Sequence, residues 1–170
     1  MWLTLSGVLL GGVISLVGVW LTNHLGIKEH MVERQATAKE QRRVFERNTL
    51  QDLNKAITKA MRDVTVIHLA DLDAETKTGT YGGHLLPEGI EIGHLEHAQE
   101  LAHLTNLVLD DHLRDEVIAL RAGMSHLGIP GPRTRAQGEM EYAQLSNQCV
   151  DVQEKIAKVV RELWSPPEAI

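Results

Sequence analysis

Residues 141–164, EYAQLSNQCVDVQEKIAKVVRELW, place Tyr142, Leu145, Cys149, Val152, Ile156, Val159 and Leu163 at alternating steps of three and four. That spacing brings all seven side chains to one face of an α-helix, and Gln, Asp, Glu, Lys and Arg fill most positions between them. A stripe of this kind is the seam of a helix packed on partners. The helix is expected over about 134–164, ended by Ser165, Pro166 and Pro167, since proline cannot continue the hydrogen-bond ladder.

Upstream, GIPGP at 128–132 stops a preceding helix whose inner residues are Leu113, Val117, Leu120, Met124 and Leu127. Its start lies in LDDHLRDE, where Asp110 or Asp111 can cap the free amides of a first turn. Before it, a helix over about 94–108 turns Ala98, Leu101, Leu104 or Thr105, and Val108 inward. The stretch 76–93, TKTGTYGGHLLPEGIEIG, carries five glycines and one proline and reads as a long loop. Ahead of the loop, Leu50, Leu53, Ile57, Ala60, Val64 and Ile67 form another seam, in a helix expected over 27–74 whose stripe fades at Asp71. Aromatic residues make up only 4% of the chain, which disfavours β architectures rich in Tyr, Phe and Trp. Four apolar stripes with these connections predict an all-α chain ending in an antiparallel four-helix bundle. The last helix is much longer than the second and third, so it should run along the first back to about Phe45.

The N-terminal residues are of another kind. No Lys, Arg, Asp or Glu occurs from Met1 to Ile27, and residues 2–22 would cover ~30 Å as a helix, the thickness of a bilayer's hydrocarbon. Neither a basic leader nor a small-x-small cleavage site accompanies this segment, as a secretory signal would require. A transmembrane signal anchor over 1–26 is therefore expected, with Trp2 and Trp20 near its two interfaces. Lys28, Arg34, Lys39, Arg42, Arg43 and Arg47 follow it, so the positive-inside rule puts the N-terminus outside and the C-terminal domain in the cytoplasm. The expected organisation is an anchor at 1–26, a charged helical stalk at 27–44 and a bundle at 45–170, in a single-pass protein of the inner cell membrane.

On the anchor helix Thr4, Gly7, Gly11, Ser15, Gly18 and Thr22 share one face. Small residues in a small-xxx-small pattern let membrane helices approach closely, so this stripe is the expected packing face for a second copy or another membrane protein. Arg34, Lys39, Arg42, Arg43 and Arg47 are candidate contacts for anionic headgroups or a partner, with interspersed glutamates weakening the attraction.

Reactive chemistry is sparse. The net charge of −6 gives no general basis for binding nucleic acid. One cysteine excludes an intramolecular disulfide, and Cys149 lies in the apolar seam, where a thiol behaves as a small hydrophobe. No glycine is followed by Lys-Ser/Thr, and no H-E-x-x-H or C-x-x-C pattern occurs. Glu91-x-x-His94 and Glu100-x-x-His103 match the Glu-x-x-His element of di-iron bundles in spacing, but both fall in one short segment, with Glu91 assigned to the loop. His94, His97 and His103 are thus only weak metal candidates; solvent-facing roles or a pH response fit them better. No catalytic residue, cofactor or small-molecule substrate is expected.

The order of parts, GVLLGGVISLVG in an uncharged segment, KEQRRVFERN in a charged helix, LVLDDHLRDEVIALR and a long closing helix, resembles single-pass helical membrane proteins of actinobacteria and their phages. The resemblance implies topology and no reaction. The function expected is a non-enzymatic membrane-tethered interaction module, in phage or host membrane defence or exclusion. The alternatives are a spanin-like phage lysis factor with its helical part outside, and a metal-dependent helical-bundle enzyme.

Overall fold

Helix α1 spans Trp2–Thr78, α2 Ile90–Asn106, α3 Asp111–Gly128 and α4 Arg135–Trp164. The computed structural model describes residues 2–82, 90–129, 131 and 133–165, except for the side chains of 2–30, 32 and 90–92. No strand occurs among the described residues, and the chain divides into two units, Met1–Val44 and Phe45–Ile170. Among the described residues no helix is long and apolar enough to cross a membrane. The span expected at 2–22 and its stripe of Thr4, Gly7, Gly11, Ser15, Gly18 and Thr22 lie on side chains outside the described ones.

Within the second unit the helices pair antiparallel in ring order. Lys59 meets Glu100 and Asp63 meets His97, so numbers rise along α1 as they fall along α2. The same opposition joins Glu116 to Lys155 and His126 to Glu141 between α3 and α4. It recurs where Thr58 accepts from Gln153 and Thr65 meets Tyr142 between α1 and α4. Every predicted inner residue of α3 is buried, as are Leu50, Leu53, Ile57, Ala60, Val64 and Ile67 of α1 and Leu145, Cys149, Val152 and Ile156 of α4. Tyr142, Val159 and Leu163 pack against that core from its edge. At the far end of α4 the Arg47 guanidinium lies 4.0 Å above the Trp164 ring, so α4 reaches the level of α1 expected from its length.

The helix ends follow local chemistry. Asp110 caps α3 by accepting from Leu113 N at 2.8 Å. Thr134 and Gln137 form a reciprocal capping box at α4, with Gln137 Oε1 accepting from Thr134 N at 3.0 Å. Thr134→Ala should lower unfolding free energy by about 1 kcal/mol in urea denaturation, with Thr134→Ser recovering most of it. Arg133 donates to the carbonyls of His126 and Leu127, satisfying the exposed end of α3.

Two boundaries differ from the sequence reading. Helix α1 continues past residue 74 to Thr78, and α2 begins at Ile90, so Glu91 is helical rather than in the loop. The fading apolar stripe is no stop signal, because the next inward positions, His68 and Asp71, are polar yet buried. The helix stops at Gly79, whose φ of 75° is left-handed and whose N–H donates to Glu75 O.

Candidate functional site

Four polar side chains, Thr65 and His68 of α1, Tyr81 of the following turn and Tyr142 of α4, meet at the edge of the apolar core. Thr65 Oγ1 donates to Met61 O at 2.8 Å, which leaves the Tyr142 hydroxyl as donor in its 3.0 Å contact with Thr65. The His68 ring stacks on Tyr142 with centroids 4.3 Å apart and planes 5° from parallel. Its Nδ1 is 2.9 Å from the Tyr81 hydroxyl, and the two rings meet edge-on. His68, Asp71 and Tyr81 are all buried.

Tyr81 is held by glycines as well as by hydrogen bonding. A β-carbon on Gly138, in the first turns of α4, would overlap the Tyr81 hydroxyl and ring. Gly82 has φ 83°, and a β-carbon there would overlap the carbonyl oxygen of Gly131. The 79–82 turn is thus pinned to the connection between α3 and α4. Burial pushes the His68 imidazole below its usual range, opposed by the carboxylates of Asp71 and Glu139. Burial also raises the Tyr81 phenol, with Asp71 adding in the same direction and Arg133 opposing.

A second cluster joins α1 to α2. Asp63 Oδ2 lies 2.7 Å from His97 Nδ1 and 3.8 Å from His94 Nδ1, so two of the weak metal candidates converge on one carboxylate. His103 is exposed elsewhere on α2. Among the described residues no group of three or more His, Cys, Asp or Glu is placed to hold a metal ion. The adjoining slot, lined by Ala60, His94, Leu101, Arg121, Met124 and others, has a volume of about 40 Å³. A metabolite site needs roughly 300–1,000 Å³. Larger concavities of about 520 and 230 Å³ lie open on α4 and between α3 and α4, walled mainly by charged, solvated side chains. Cys149 is buried and its thiol is pushed up by desolvation, the opposite of an activated nucleophile.

Of the proposed stalk contacts, Arg34, Lys39 and Arg42 are exposed, and Arg43 is half-buried and 3.6 Å from Glu40. Arg47 belongs to the bundle through Trp164. Sequence reasoning passed over His68, Asp71, Tyr81 and Gly138. His68 and Asp71 continue the seam of Val64 and Ile67 at helical spacing, a signal hidden by their polarity. Tyr81 is the one aromatic residue in the glycine-rich 76–93 stretch. The chain matches no family model, no curated protein and no solved structure.

Proposed function

We propose that this chain is a membrane-tethered helical bundle that works by contact rather than by catalysis. The observation carrying this reading is that residues 1–27 hold no charged side chain, while six cations fall between 28 and 47. A helix satisfies every internal backbone group within its own segment, as a lipid-embedded chain must, and residues 2–78 are one helix. The stripe from Thr4 to Thr22 offers a face for self-association or for docking on another membrane protein. The cations on its C-terminal side support, by the positive-inside rule, a cytoplasmic bundle. A role in membrane defence or exclusion rests on the layout alone.

Cell fractionation with a reporter fused after Ile170 tests the reading. The full chain should sediment with membranes and resist carbonate extraction, the reporter should be active in the cytoplasm, and removal of residues 2–26 should release the protein. Recovery of the intact chain in the soluble fraction would overturn the tether. A reporter active only outside would overturn the cytoplasmic orientation and favour the spanin-like arrangement. Gly11→Ile should abolish crosslinked dimers in native membranes; undiminished dimers would remove the stripe as the self-association face.

A further inference from the structure

The His68–Tyr81 contact joins the 79–82 turn to the α1 seam through side chains of both. We propose that this contact is an acid-released latch: neutral His68 holds the turn against α4, and protonation of His68 detaches it. The inference is independent of the membrane reading.

The chemistry lies in one hydrogen bond. With Nδ1 unprotonated, it accepts the Tyr81 O–H, and the phenol ring fills the cradle left by Gly138. A proton added at Nδ1 makes that atom a donor. The Tyr81 hydroxyl must then reverse its role and send its own proton elsewhere, within a slot too tight for one more carbon atom. The new charge also sits on a ring that is nearly excluded from solvent.

The groups facing this site set the balance. Asp71 on α1 and Glu139 on α4 favour the imidazolium, Tyr142 on α4 covers one ring face, and Arg133 and Glu141 act on Tyr81 from the α3–α4 connection and α4. Burial outweighs the two carboxylates, so docked His68 binds its proton less readily than undocked His68. The docked turn is therefore favoured in full above the undocked value of about 6.5. That advantage is lost as pH falls below it and through the lower docked value. Release uncovers Tyr81, the Gly138 cradle and the stacked His68 and Tyr142 rings together.

Hydroxyl-radical footprinting of the detergent-solubilised full chain reads the latch directly, with Tyr81 oxidation normalised to the exposed Met140. Between pH 7.5 and 5.0 the ratio should rise severalfold in the wild type, as protonation of His68 removes the advantage of the docked turn. His68→Gln, which accepts the phenol hydrogen bond without titrating, should hold the ratio constant. Met124, buried in the core, should stay protected, so general unfolding would be seen as a parallel rise there. A flat or falling wild-type ratio overturns the latch, as does a His68→Gln protein with the wild-type pH response. If that variant loses helical content, nitrogen NMR titration of wild-type His68 decides. Protonation in step with Tyr81 exposure supports the latch, and an imidazole still neutral while Tyr81 opens overturns it.

Discussion

Ile57→Ala is expected to remove about 2–5 kcal/mol of unfolding free energy, a large part of the ~5–15 kcal/mol typical of a domain. Ile57 is 0% exposed and belongs to a core cluster contributed by all four helices and the connection at Val108. Truncation removes buried methyl groups and leaves a cavity that rigid helix backbones close only in part. Urea denaturation of the full chain followed by circular dichroism gives the value. The matched change on the outer face of α3, Ile118→Ala, should stay within about 0.5 kcal/mol, because Ile118 is 46% exposed. Equal effects at the two positions would show that the apolar seam does not form the core described above.

Gly138→Ala should also destabilise, against the local rule. Alanine is better than glycine inside a helix by about 1 kcal/mol, and Gly138 lies within α4. The added carbon would occupy the space of the Tyr81 hydroxyl and ring, so Tyr81 must leave. Lost phenol burial and the lost His68 hydrogen bond together outweigh the helix gain, for a net loss of roughly 1–3 kcal/mol. Gly123→Ala is the control. A β-carbon there meets only Leu145 Cδ1, at 2.8 Å, the end of a side chain that can rotate aside. Its expected effect is near zero, as helix propensity offsets the adjustment. A Gly138→Ala protein more stable than wild type, with Tyr81 still protected, would refute the close packing of the turn on α4. In the footprinting experiment the same variant should show high Tyr81 oxidation at both pH values, since its latch cannot close.

These two substitutions depend on different levels of information. The effect at Ile57 is legible in sequence, because Leu53, Ile57, Ala60 and Val64 already share one helical face. The caps at Asp110 and Thr134 are equally local, each needing only a polar side chain ahead of a helical run. Cys149 follows from the same rule: its place between Leu145 and Val152 in the seam puts the thiol inside. Periodicity and capping act within a few residues, so one chain read alone displays them.

The effect at Gly138 is not legible in that way. Tyr81 and Gly138 are separated by the whole of α2 and α3; Gly138 falls on the α4 seam four residues before Tyr142, but no local pattern shows that a phenol from the distant turn fills the space there. Hydropathy patterning also treats His68 and Asp71 as the end of a stripe, although both are buried. Burial of a polar side chain depends on its partners, and the partners of His68 come from the turn and from α4. The convergence of His94 and His97 on Asp63 is likewise a product of packing between two helices.

The sequence by itself determined the all-helical class, the inner faces of the helices, the caps and the uncharged N-terminal segment, because each depends on spacing and composition along one stretch. Only the tertiary structure decided which polar residues meet inside the bundle and how tightly the 79–82 turn is held. Those properties arise from distances between segments far apart in the chain, which no local pattern encodes.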